Sequence, residues 1–266
     1  MGTLRPLIER AGAHLMTKMF KVFLLLMLAV SLSAGSPLAG IGLNPAVTEI
    51  VIPAGVPSEG RVAVKNSFNE EIAFEVQTEN WLRRRGVETP GAEIEPEDWL
   101  SVETPVFSIR PGEIKDVRYT ATIPEGTEGE LVAMLFFAPA PEEGGISVRS
   151  RFGAIIYAAA EGTLDVSCKA ESLRYTGSGL RVTVRNTGNV HLRPDGKVIV
   201  TNPQGDVSTF SLQSGWSLFP GQARHFTAVT EEELPEGEYT AQAVIEYGML
   251  YGEKRITESP AEVFSK

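Results

Sequence analysis

The sequence predicts an all-β protein: two antiparallel β-sandwich domains in tandem behind an N-terminal export leader. Three observations carry this. Residues 99–157 are short apolar runs broken by tight turns, such as Arg110-Pro111-Gly112-Glu113 and Ile123-Pro124-Glu125-Gly126. Proline presets φ and glycine accepts positive φ, so each is a chain reversal, and strands at this spacing build a sandwich. The second half repeats the device, with Phe219-Pro220-Gly221-Gln222 followed by Leu234-Pro235-Glu236-Gly237. Such an echo predicts two sandwiches of related topology. Finally, Lys18 and Lys21 precede an apolar run at 22–30, and small residues follow at Ser31, Ser33, Ala34, Gly35 and Ser36.

That last pattern is a secretory signal peptide: a basic start, a short apolar stretch and a small-residue exit. The run is shorter than the ~20 apolar residues of a membrane span. No cysteine ends it, and no second apolar segment follows. The expected protein is therefore periplasmic, or extracellular where the host has one membrane. Membrane contact would come only through an uncleaved leader. The expected boundaries are a leader at 1–35, a first domain at 41–160, a second at 163–257 and a frayed tail at 258–266. The chain has 266 residues, room for two immunoglobulin-like sandwiches of ~100 residues each.

The formal net charge of −10 excludes a general nucleic-acid binder, which needs a basic surface to displace counterions. Cys168 is the single cysteine, so no intrachain disulfide forms. It reads as a small buried apolar residue. His14 lies in the leader; His191 and His225 have no Cys, Asp or His at ligand spacing and read as satisfied surface or half-buried side chains. No phosphate loop, nucleophile elbow or nucleophile–base pair is present, so neither enzyme chemistry, a metal nor any cofactor is expected.

In the first domain, residues 47–52, 60–66 and 71–77 alternate apolar and polar, as half-buried strands do. Ile72, Phe74 and Val76 share one face, with Val62 and Val64 as the matching face of the neighbour. Residues 81–98, with Trp81 beside Arg83, Arg84 and Arg85, read as a long connection. Residues 131–137 are almost continuously apolar, predicting a central strand covered on both faces with Phe136 in the core. The last strand is expected over 146–157, with Ile146, Val148 and Phe152 on one face and Arg149 and Arg151 on the other.

In the second domain, Gly162 marks the joint. Residues 164–170 begin a new alternation, and 180–185 are expected to pair with 197–200. Between them, Asn186-Thr187-Gly188-Asn189 is a turn.

The run from Trp99 to Tyr119, with Thr104-Pro105-Val106-Phe107 and Arg110-Pro111-Gly112-Glu113, resembles the N-terminal domain of periplasmic pilus-assembly chaperones. The apolar strand at 131–137 and the long final strand match that pattern too. The WxL-interacting surface proteins are the nearest competitor. The first resemblance implies a non-enzymatic protein that captures pilin-like subunits by β-strand addition at the last strand of the first domain. A basic residue there would hold the subunit's terminal carboxylate: Arg151 by position, Arg149 in the alternative register. The partner-binding set is then Ile146, Val148, Arg149, Arg151 and Phe152. The family's second basic residue, on the first strand, has no counterpart, because residues 43–49 contain no Lys or Arg. Arg149 and Arg151 also fit an edge whose charges discourage aggregation. The competing resemblance implies a cell-wall, peptidoglycan-binding module.

Overall fold

The computed structural model describes residues 40–139, 150–177, 179–212, 215–228, 234–250 and 252–266. The leader at 1–35 lies outside them, as do Ile146, Val148 and Arg149.

The first domain carries β1 (Ile41–Asn44), β2 (Val47–Ile52), β3 (Ser58–Asn66), β4 (Ile72–Asn80), β5 (Leu100–Val102), β6 (Val106–Ile109), β7 (Ile114–Ala121), β8 (Glu130–Pro139) and β9 (Phe152–Ala160). One sheet runs β1-β3-β7-β5 and the other β2-β9-β8-β4-β6. The first strand of the chain is thus split at Pro45: β1 pairs with β3 in one sheet, and β2 runs parallel to β9 in the other. Alternation puts Val62, Val64, Val117 and Tyr119 of one sheet against Phe74, Phe137, Leu135 and Ile156 of the other, all buried. Val62 and Val64 therefore meet Phe74 across the core, not along a shared ladder.

Residues 81–98 hold more structure than a plain connection. They form helix α1 (Trp81–Arg84), capped by the Asn80 side chain, which accepts from the Arg83 amide, and two short 3₁₀ turns. This segment covers the outer face of β8 at its start, where Val132 packs with Leu82, Val87 and Ala92. Further along β8, Phe137 is fully buried but Phe136 is only half-buried, on the outer face. The expectation that Phe136 lies in the core is corrected: continuous apolar sequence here reflects a core on one side and a partial cover on the other.

The second domain carries β10 (Cys168–Tyr175), β11 (Leu180–Asn186), β12 (Asp195–Thr201), β13 (Val207–Ser211), β14 (Ala223–Ala228), β15 (Glu238–Tyr247), β16 (Arg255–Glu258) and β17 (Glu262–Ser265). One sheet is β10-β11-β14; the other is β13-β12-β15, with β16 and β17 both on the far side of β15. The expected pairing of 180–185 with 197–200 does not occur. The corner after β11 carries the chain to the opposite sheet, so Val182 and Val184 face Val198 and Val200 through the core. Residues 262–265, expected to fray, form β17, and Phe264 stacks on Tyr175 and Tyr239 at 4.5 and 5.5 Å.

The Pro-Gly turns recur in both domains with the same bonding. Gly112 has φ +77° and Gly221 φ +74°, a region other residues enter at a cost. Each glycine amide donates to the backbone carbonyl of a fully buried asparagine, Asn66 or Asn186.

Candidate partner-binding edge and interdomain joint

β9 is flanked by β8 along its whole length, but β2 covers only part of its other side. The parallel register begins at Val47 opposite Ile155 and ends at Ile52 opposite Ala160. Phe152, Gly153 and Ala154 pair with Phe137, Phe136 and Leu135 of β8. Among the described residues no strand flanks them on the far side. Within β9 the side away from β8 is therefore open only at Phe152, Gly153 and Ala154 among the described residues, because β2 lies along the rest.

Beside this short edge lies a half-buried aromatic face. The rings of Trp81 and Phe136 meet edge-on at 6.4 Å. The Arg151 guanidinium sits 4.0 Å from the Phe136 ring centroid, a cation–π contact. Gly153 makes room, because a Cβ there would approach Met134 Sδ to 2.8 Å. Arg151 and Arg84 flank Glu79 at 4.0 and 3.7 Å, with the Arg side chains 43% and 62% exposed. Exposed pairs at such distances contribute about 0–1 kcal/mol, so they hold Arg151 only weakly. Of the expected partner-binding residues, the structure places Arg151 and Phe152 together at this edge; Arg151 is exposed, and Phe152 is half-buried against the first core.

The second concentration of polar side chains lies between the domains, and sequence spacing does not reveal it. His191 is fully buried. Its backbone amide donates to Glu130 Oε1 at 2.5 Å, while Nδ1 lies 2.7 Å from Glu130 Oε2 and Nε2 lies 2.8 Å from Glu49 Oε1. Glu49 also accepts from the Leu250 amide at 2.8 Å, and Arg193 Nε stands 4.0 Å away. Tyr157 stacks on the imidazole, with centroids 3.6 Å apart, and its hydroxyl lies 3.3 Å from Ser217 Oγ. Below them Phe219 of the second domain completes the apolar cluster of Leu82, Val87, Ala92, Val132 and Tyr157.

Burial alone favours a neutral imidazole. The charge and hydrogen bond of Glu130, and then those of Glu49, outweigh it and raise the His191 pKa to about 9. At neutral pH an imidazolium therefore donates to both carboxylates. Each ring nitrogen faces a different carboxylate, so the group is a clamp with no point where a cation meets all three. The reading of His191 as an isolated histidine is corrected: its partners stand 61 and 142 residues away in the sequence. Nothing in the sequence marks it: Glu130 stands just before the apolar run 131–137, and only the structure buries it.

Cys168 is buried, and burial pushes its thiol up to about 12, opposed only by a backbone hydrogen bond at Lys169. Such a thiol stays protonated and inert at neutral pH. His225 Nδ1 meets Thr183 Oγ1 at 3.1 Å. Among the described residues no group of three or more His, Cys, Asp or Glu side chains is placed to hold a metal, and no helix is long and apolar enough to cross a membrane.

No family model and no curated protein matches the sequence. Among solved structures, the chain is similar to the class 5 fimbriae chaperone CfaA, with 14% identity, a TM-score of 0.49, and 83% of this chain and 99% of that one covered. It is similar to the periplasmic chaperone SfaE at 15% identity and a TM-score of 0.41, covering 83% and 99% of the two chains. It is also similar to a chain of the CsuC–CsuE chaperone–tip adhesion subunit pre-assembly complex from the archaic chaperone-usher Csu pili of Acinetobacter baumannii. There the identity is 14%, the TM-score 0.45, and the coverage 83% and 98%.

Proposed function

We propose that this is an exported, non-enzymatic, pilus-assembly-chaperone-like protein that captures a partner subunit by strand addition at the start of β9. The observation that carries the reading is the stretch Phe152, Gly153 and Ala154, which no second strand flanks among the described residues, next to the aromatic face of Trp81 and Phe136. In strand addition, backbone hydrogen bonds supply affinity and side-chain contacts supply specificity. The short edge offers the backbone groups, and the half-buried rings offer apolar surface that a partner would bury. Arg151, weakly held by Glu79, is the available cation for a partner carboxylate. With no basic residue in β1 or β2, a carboxylate would be held from one side only.

The test is capture from periplasm or culture supernatant with tagged protein lacking residues 1–35, followed by hydrogen exchange on the purified complex. Recovery of a β-rich subunit, with slowed exchange at the Gly153 amide, which alternation turns away from β8, and capture weakened in Arg151→Ala, supports the reading. A subunit that leaves exchange at the Gly153 amide unchanged refutes strand addition here. Recovery of cell-wall fragments instead transfers the protein to the surface-module class.

A further inference from the structure

A second cleft lies away from β9, along the outer side of β14. It encloses about 420 Å³ and is lined by Arg85 of the first domain and by Trp216, Arg224, His225, Phe226 and Thr227 of the second. Its two walls are tied by a hydrogen bond from Gln222 Nε2 to the Arg85 carbonyl at 3.1 Å. Three features of this cleft suit a ligand.

The first is charge. Among the described residues neither Arg85 nor Arg224 forms an ion pair, in a chain whose net charge is −10. Burial and the neighbouring Arg85 charge both hold the Arg224 guanidinium below its ordinary value. Two like charges kept close at a cost are relieved by an anion. The second is an indole: Trp216 is 67% exposed, with Arg224 over its ring at 5.6 Å. A large exposed ring at a cleft mouth is a typical anchor for a partner. The third is backbone. β14 is the last strand of its sheet, and among the described residues its outer side is met only by the bridge from Leu212 to Ala228.

We propose that this cleft binds an extended acidic peptide segment of another protein. The segment's backbone would run along β14, its carboxylates would meet Arg85 and Arg224, and an apolar side chain would cover Trp216. Charge selects the occupant, since the guanidiniums reward acidic side chains and repel basic ones, while the sheet edge requires a peptide backbone. The site is separate from the start of β9, and either can fail without the other.

The test is fluorescence polarisation with a labelled peptide of alternating glutamate and valine. Its C-terminus is amidated so that only side-chain carboxylates are present. The expected result is saturable, salt-sensitive binding, at least ~10-fold tighter than for the glutamine analogue. Arg85→Gln and Arg224→Gln should each weaken it by ~10-fold, Trp216→Ala should weaken it too, and Arg151→Ala should leave it unchanged. Arg85 is exposed, so its variant stays interpretable even where Arg224→Gln disturbs packing. Equal binding of the glutamate and glutamine peptides, no effect of Arg85→Gln in a folded variant, or no binding overturns the proposal.

Discussion

The two domains close the same corner with the same residue. In the first, Asn66 donates from Nδ2 to the carbonyls of Glu70 and Ile109 and accepts from the Phe68 amide. In the second, Asn186 donates to Val190 and Leu218 and accepts from the Gly188 amide. Each asparagine also exchanges backbone bonds with its Pro-Gly turn. The corners diverge at the next residue. Glu71 is exposed after the first, whereas His191 is buried after the second and clamped between two carboxylates of the other domain. One turn thus serves as a simple closure at a free surface and as the pivot of an interdomain joint. Its backbone is the same in both; the neighbour supplied by tertiary structure makes the difference.

His191→Ala is expected to break this comparison most strongly. It leaves the fully buried Glu130 carboxylate without its cation and removes one of Glu49's partners, at a cost of about 3–5 kcal/mol, read by calorimetry or denaturant titration. A loss below about 1 kcal/mol would mean that the joint contributes little. The same clamp sets an alkaline limit. The folded-state pKa lies above the ordinary value of 6.5, so the contribution is complete below that pH and is lost as pH rises through about 9. Thermal melts across this window should show the fall in the native protein and not in His191→Ala.

Asn66→Ala and Asn186→Ala sharpen the comparison at the next level. Each leaves buried carbonyls unsatisfied, for about 1–3 kcal/mol apiece. The second should cost more, because its corner also positions His191. Equal losses would show that the corner and the joint are independent. The smallest effect is expected at Arg151. Arg151→Ala should change stability by less than about 1 kcal/mol, since its pair with Glu79 is long and its own side chain is largely in solvent. Partner capture, in contrast, should fall. A large drop in melting temperature would recast Arg151 as structural.

Much of the first domain's layout was legible because alternation and Pro-Gly turns are local. The turns at Gly112 and Gly221 stand where the residues predicted them. Three things were not legible, each because it depends on a remote partner. Pairing of 180–185 with 197–200 was expected because both segments alternate. Alternation reports which face is buried, not which sheet a strand joins. Phe136 and Phe137 are indistinguishable in an apolar run, yet only one points into the core. The edge of β9 looked free because nothing near it in sequence shows β2 lying alongside.

An all-β chain of two sandwiches follows from the residues alone, since strand period and turn chemistry are set by near neighbours. Sequence alone also singled out Arg151 and Phe152 as candidates. Packing in three dimensions laid β2 along most of β9, brought Arg85 and Arg224 to one cleft, and turned His191 into a buried imidazolium. The physical reason is common to all three. Charge stabilisation and edge coverage depend on distance in space, and the groups involved are separated by up to 142 residues along the chain.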